Sequence, residues 1–91
     1  MGEKEFAKEL GITSEGYEST NGSYIIELKN SNEFSKVYTL LDKNEDAELD
    51  VETMHMGEDF VEMTYLTEVF DVTLHANLKE NKYFVEIEEA M

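Results

Sequence analysis

Carboxylates dominate the chemistry that this sequence offers. Its 91 residues include 22 Asp and Glu against 7 basic residues, all of them lysine, and the formal net charge is −15. Residues 42–71 contain 11 of these acids and one lysine. Clustered carboxylates can bind a basic protein surface, hold a metal ion, or act as acid and base in catalysis. The spacing of the acids indicates which of these three kinds of site each cluster could form.

An alternating row of acids follows Ala47. Glu48, Asp50 and Glu52 alternate with apolar residues, so a strand would place them on one face, roughly 6.6–6.8 Å apart. Acids of the next predicted turn and strand extend the row, and two methionines where the alternation breaks offer apolar anchors. The sequence therefore predicts a partner-binding surface made of Glu48, Asp50, Glu52, Met54, Met56, Glu58, Asp59 and Glu62. The same alternation also fits a solvated strand face without a partner.

A second acidic pattern overlaps the start of this row. Asp42, Asn44 and Asp46 occupy positions 1, 3 and 5 of the pattern D-x-[DN]-x-[DN]-G, directly after a predicted helix. Over about 12 residues this resembles the start of an EF-hand calcium loop. Ala47 replaces the glycine of the loop and Thr53 replaces its last, bidentate Glu. A polar loop between helix and strand is the favoured interpretation, and a calcium-binding or structural, self-assembling module is the alternative function.

The histidines and nucleophiles form no pattern of a catalytic site. His55 and His75 are 20 residues apart, and neither has a His or Cys at metal-ligand spacing. Carboxylate pairs are inevitable by chance among so many acids, and no Ser or Lys lies in a nucleophile motif. The sequence predicts no catalytic residue, no cofactor and no enzymatic activity.

The composition also narrows the class of partner. The chain contains no arginine, the side chain that binds phosphate in bidentate fashion, and its negative field repels nucleic acids and anionic membranes. Cysteine is absent, no apolar run reaches the roughly 18 residues that span a bilayer, and the N-terminus lacks an apolar signal segment. We therefore expect a cytoplasmic protein, monomeric or homodimeric, whose partner presents a basic surface.

Two helices and a sheet are expected to position these residues. Phe6 and Leu10 before Gly11 indicate a short helix, and Asn21-Gly22 is typical of a hairpin turn. After the possible cap Asn30, apolar residues at helical spacing predict an amphipathic helix over about residues 31–42, with the stripe Phe34, Val37, Tyr38 and Leu41. From Ala47 onward the apolar period is 2, which favours strands.

The predicted fold class is α+β. We expect a small single domain over 1–91, with an antiparallel sheet of about 4–5 strands, one central amphipathic helix packed on one face, and a short N-terminal helix. Along the chain these are a short helix in 1–11, a hairpin in 12–29, a helix in 30–43 and an antiparallel meander in 47–89. The meander includes a long apolar face formed by Phe70, Val72, Leu74, Ala76 and Leu78.

In size and charge the chain resembles the small acidic inhibitors of phages and mobile elements, namely anti-CRISPR and anti-restriction proteins, and nuclease immunity proteins. The resemblance is compositional, and no family motif accompanies it. It implies an inhibitor or regulator that mimics nucleic acid and occupies the basic nucleic-acid-binding surface of its partner. The row of acids after Ala47 is the predicted docking surface.

Overall fold

The computed structural model describes residues 2–90, which form two helices, one 3-10 helix and an antiparallel sheet. Met1 and Met91, which the predicted domain bounds include, lie outside the described residues. The helices and strands are α1 Glu3–Glu9, β1 Tyr17–Glu18, β2 Tyr24–Leu28, α2 Ser31–Lys43, β3 Glu48–Leu49, β4 His55–Met56, β5 Phe60–Leu66, β6 Phe70–Asn77 and β7 Lys82–Glu89.

The mixed α+β class predicted from the sequence is confirmed, but the predicted count of about 4–5 strands is wrong. The described residues form seven strands. Three of them, β1, β3 and β4, are two residues long. Two residues cannot display an alternation of period 2, so such strands leave almost no signal in a sequence.

The order of the strands places the longest ones at the centre of the sheet. The order is β1-β2-β7-β6-β5-β3, and β4 also pairs with β5. β5, β6 and β7 form an antiparallel meander, and β2 lies on the other side of β7. β3 and β4 both pair with β5 and not with each other, so the predicted meander begins at β5 and not at residue 47.

Helix α2 forms as its sequence pattern indicates. The Asn30 side chain accepts a hydrogen bond from the Glu33 backbone N–H at 3.0 Å and caps the helix. Val37 and Leu41 are fully buried. The Phe34 ring packs on Tyr83 with centroids 5.3 Å apart, and the Tyr38 ring meets Tyr65 edge-on at 6.4 Å. These contacts place α2 on one face of the sheet.

Helix α1 packs on the same face as α2. Its Phe6 ring lies 4.9 Å from Phe70, and its Ala7 is buried. Gly11 follows the helix with φ +78°, a conformation that glycine adopts without strain. Buried side chains of the strands beneath the two helices complete the core: Tyr24, Ile26, Leu28, Tyr65, Phe70, Val72, Leu74, Ala76, Tyr83, Val85 and Ile87.

The segment after α2 differs from its prediction. Strand β3 ends at Leu49, and the Asp50 carboxylate accepts a hydrogen bond from the Glu52 backbone N–H at 3.2 Å. This side chain caps a 3-10 helix, Val51–Thr53, because Asp bonded to nearby backbone offers the chain an alternative to the sheet ladder. Glu48, Asp50 and Glu52 therefore do not form one row on a strand face. Val51, expected on the buried side, is 67% exposed.

Candidate protein-binding surface

The predicted partner-binding residues lie along one edge of the sheet. We define the acidic margin as residues 48–59, which run past the outer edge of β5 through β3, the 3-10 helix and β4. Glu48, Glu52, Glu58 and Asp59 are exposed there, whereas Asp50 is half-buried as the cap described above. No lysine occurs between Lys43 and Lys79 in the sequence, so the margin contains no lysine, and His55 is its one histidine.

The two methionines of the acidic margin differ in exposure. Met56 is 67% exposed in β4, where it pairs with Val61, and Met54 is half-buried after the 3-10 helix. The side chain of Met56 is therefore accessible among the acids, and its role as an apolar anchor stays a prediction. Glu62 is the remaining predicted residue, and it lies on β5, next to the margin.

A second surface emerges from the sheet topology. Side chains alternate between the two faces of a strand, and both helices pack on the face that carries the core. We define the open face as the opposite side of the sheet. Its carboxylates are Glu27, Glu48, Glu62, Asp71, Glu86 and Glu88, and Lys82 lies at its border.

A histidine between two carboxylates lies at the centre of the open face. His75 Nδ1 lies 3.2 Å from Glu62 Oε2, and His75 Nε2 lies 3.6 Å from Glu86 Oε1. The buried Ser23 hydroxyl donates a hydrogen bond to the other oxygen of Glu86 at 2.8 Å. This chain of side chains ties β2, β7, β6 and β5 together across the sheet.

The geometry around His75 is that of a structural network. Each ring nitrogen faces a carboxylate, and the Ser23 hydroxyl is directed at Glu86 rather than at the imidazole. A nucleophilic serine would instead bond to the histidine that takes its proton. Across residues 2–90, no group of three or more His, Asp or Glu side chains is arranged to hold a metal ion.

The sequence does not reveal the open face as a candidate site. The alternation in 83–88 assigns Phe84, Glu86 and Glu88 to one side of a strand, but it does not reveal that the helices cover only the other side. His75 meets Glu62 and Glu86 through the register of three strands, which is not readable from spacing in the chain. The one signal of this face in the sequence is the alternation itself.

The residues of the calcium-like pattern do not form an EF-hand loop. Asp42 lies in the last turn of α2, and the Asn44 side chain accepts a hydrogen bond from the Asp46 backbone N–H at 2.9 Å. The segment that follows pairs as strand β3 instead of forming the exit helix of an EF-hand. We expect millimolar calcium to leave the melting temperature unchanged, and a calcium-specific rise that magnesium does not reproduce would contradict this expectation.

One buried tyrosine is electrostatically unusual. Tyr65 is 2% exposed, and its hydroxyl has no hydrogen-bond partner among residues 2–90. Burial raises the pKa of Tyr65 to about 12, with smaller contributions from Tyr38 and from the nearby Asp42 carboxylate. All three effects disfavour the phenolate, so the hydroxyl stays protonated well above neutral pH.

The concentration of like charges predicts a salt-dependent stability. At low ionic strength the acids of the margin and the open face repel one another, and added salt screens that repulsion. We expect the melting temperature to rise by about 4 °C or more between very low and physiological salt, which corresponds to roughly 1 kcal/mol in a domain of this size. Calorimetry in sodium chloride measures this shift, and an unchanged melting temperature would mean that the charges are too dispersed to interact.

Comparison with protein-family models, with curated proteins and with solved structures gives no match for this chain. Among the described residues, neither helix has the length and apolar character that crossing a lipid bilayer requires. The features of this chain that indicate a function are therefore its acidic margin and its open face.

Proposed function

We propose that this chain is an acidic binding protein that docks onto the basic surface of a nucleic-acid-handling partner and competes there with nucleic acid. The observation that carries the proposal is that the acidic margin adjoins the acids of β5 and β6 on the open face, in a stretch of sequence with no lysine between positions 43 and 79. Carboxylates distributed over these two surfaces present negative charge as a phosphate backbone does, and lysines and arginines that bind phosphates would meet them. We place this activity in the cytoplasm and propose no catalysis.

In the proposed mechanism, electrostatic attraction first brings the two surfaces together, and direct side-chain contacts then hold them. A negative surface accelerates encounter with a positive one, and this acceleration is screened beyond about 8 Å at physiological ionic strength. Exposed side chains such as Met56 would add apolar contact once the charges have aligned the two surfaces. Association should therefore be fast at low salt and fall steeply as salt rises.

The first experiment is capture followed by competition. The immobilised chain is incubated with lysate of the producing cell, with nuclease added, in low and in moderate salt. The proposal expects a basic nucleic-acid-binding protein to be captured, and expects the free chain to displace nucleic acid from that purified protein. A captured protein whose binding of nucleic acid is unaffected by saturating chain would contradict competition.

A charge-matched pair of variants tests whether the acidic margin is the docking surface. Glu48→Gln, Asp50→Asn and Glu52→Gln together remove three charges, and Asn keeps the oxygen that caps the 3-10 helix. Glu5→Gln, Glu9→Gln and Glu15→Gln remove three charges from exposed positions in and after α1. We expect the first variant to weaken binding at least about tenfold, roughly 1.4 kcal/mol, and the second to weaken it much less. Equal losses would mean that only net charge matters.

A further inference from the structure

An apolar diagonal crosses the open face between its acids. Tyr17 pairs with Ile25 on the neighbouring strand, and Ile25 lies diagonal to Phe84, because Ile25 is opposite Glu86 and Glu27 is opposite Phe84. Tyr17 is 60% exposed, while Ile25 and Phe84 are half-buried. No helix covers this diagonal in the described part of the chain, since both pack on the other face. Aromatic and aliphatic surface is thus left uncovered from the β1 edge of the sheet to Phe84 on β7.

The charges around Phe84 differ in how far they are already satisfied. Glu86 has one oxygen bonded by Ser23 and the other close to His75. The exposed Glu27 carboxylate has no hydrogen-bond or ion-pair partner among residues 2–90, and the lysine diagonal to it, Lys82, forms no ion pair with it. An aromatic ring with an unengaged carboxylate directly across from it has the two groups that a guanidinium prefers, a π face and a bidentate acceptor.

We propose that the open face, centred on Phe84, binds an arginine-bearing segment of the basic partner, with the guanidinium stacked on the Phe84 ring and bonded to Glu27. This inference rests on the proposed function, because it assumes a basic partner, and it adds the docking face and the side chain recognised. Arginine is favoured over lysine because its planar group stacks on rings, forms paired hydrogen bonds and is more weakly hydrated.

Charge complementarity excludes the other occupants of this face. A second copy related by a two-fold axis would oppose the same patch to itself, so that acids such as Glu27, Glu86 and Glu88 would meet the acids of the other copy. Like charges that meet directly destabilise an interface, and nucleic acid or an anionic membrane meets the same repulsion. A cationic protein segment is the occupant that neutralises the face.

Two peptides of defined sequence test the inference before the partner is identified. Isotopically labelled chain is titrated with a nine-arginine peptide and with a nine-lysine peptide at about 0.15 M salt, where loose charge attraction is largely screened. We expect amide shifts centred on β2 and β7, and roughly three- to tenfold tighter binding of the arginine peptide, because a guanidinium stacks on an aromatic ring more often than an ammonium does.

Matched variants identify the groups responsible. Phe84→Leu keeps the apolar bulk but removes the ring, and we expect it to reduce the preference for arginine to the part that paired hydrogen bonds with Glu27 supply. Phe60→Leu, at an aromatic residue that is 49% exposed at the end of β5, should leave the preference unchanged. Glu27→Gln should weaken binding of the arginine peptide severalfold, whereas Glu5→Gln, which removes the same charge from α1, should not. The Glu27 pair remains informative if Phe84→Leu fails to fold.

Each contrary result has a distinct meaning. Shifts confined to residues 48–59 would overturn the open-face inference while leaving a basic partner for the acidic margin. Equal binding of both peptides by the parent chain, or an arginine preference retained undiminished in Phe84→Leu, would overturn the role of the ring. Dilution of the free chain that moves the same resonances would assign the face to a second copy and overturn the inference. Absence of binding by either peptide would overturn it too, and the capture experiment would then decide the proposed function separately.

Discussion

Replacing Leu74 with Ala is expected to lower the free energy of unfolding by about 2–5 kcal/mol, the range for a large-to-small change in a close-packed core. Leu74 is fully buried on β6, between Met63 of β5 and Val85 of β7. Removal of its branched end leaves a cavity that those neighbours cannot fill without leaving the sheet register. Urea denaturation measures the loss, which is a large part of the roughly 5–15 kcal/mol that stabilises a typical domain.

Leu78→Ala is the matched control for this substitution. The sequence pattern predicts that Leu78 continues the apolar face of Leu74, but in the structure β6 ends at Asn77 and Leu78 is 48% exposed in the following turn. We expect this control to change the free energy of unfolding by less than about 0.5 kcal/mol, as for most surface positions. Similar losses for both variants would show that the apolar face continues past Asn77.

Alkaline pH is expected to destabilise the parent chain through Tyr65, and Tyr65→Phe should remove that sensitivity. The unfolded phenol loses its proton near pH 10, whereas burial raises the pKa of Tyr65 in the folded chain to about 12. Between these values the unfolded state binds fewer protons than the folded state, so the free energy of unfolding falls as pH rises. The loss reaches about 2.3 kcal/mol at pH 12 and approaches its limit, two pH units at 1.36 kcal/mol each or about 2.7 kcal/mol, only above that pH.

The difference between Tyr65→Phe and the parent chain isolates this effect from the other tyrosines and lysines. At neutral pH the two chains should differ by about 1 kcal/mol or less, because the hydroxyl that the variant removes is buried and interacts only weakly with the nearby Asp42 carboxylate. Urea denaturation at several values between pH 7 and pH 11.5 measures both parts. Tyr17→Phe, at a residue that is 60% exposed and far from the causes that raise the pKa of Tyr65, is the control and should follow the parent chain. A constant difference between Tyr65→Phe and the parent chain across this range would contradict the linkage.

The parts of the fold that the sequence predicts well are those in which local signals agree. Helix α2 combines a cap at Asn30 with apolar residues at helical spacing, and both features are present in the structure. A turn containing Asn21-Gly22 lies between β1 and β2; Gly22 has φ +90°, and its backbone N–H bonds to the Ser19 carbonyl at 3.1 Å. In β6 and β7 the alternation of period 2 is long enough to determine which side chains are buried.

The incorrect predictions concern residues at which two local structures compete, and no single sequence pattern shows which of the two forms. Asp50 lies in an alternating stretch, yet its carboxylate bonds to the backbone of Glu52 and ends the strand. The Asp50 backbone N–H still bonds to the Thr64 carbonyl of β5 at 2.9 Å, so the chain leaves the ladder only after this residue. Strands β3 and β4 exist because β5 extends beside them, so their own residues carry little information.

The sequence predicts the residue types of the candidate site, but only part of its location on the fold. The sequence identified the acidic margin and Glu62, and the structure puts Glu62 beside His75 on the open face. Phe84 and Glu27, which carry the further inference, come from strands separated by more than fifty residues. They become neighbours through the long-range register of β2 and β7. Their side chains are left uncovered because both helices pack on the opposite face of the sheet.

The short outer strands also determine how another chain could join this sheet. β1 and β3 are two residues long, β4 is equally short, and the 3-10 helix interrupts the edge of β5 between β3 and β4. An incoming extended peptide, or a strand of a misfolded copy, would therefore find few consecutive main-chain donors and acceptors. The protein is thus protected from edge-to-edge polymerisation despite being rich in β structure. Recognition by strand addition is disfavoured for the same reason, which leaves side chains on its surfaces to select a partner.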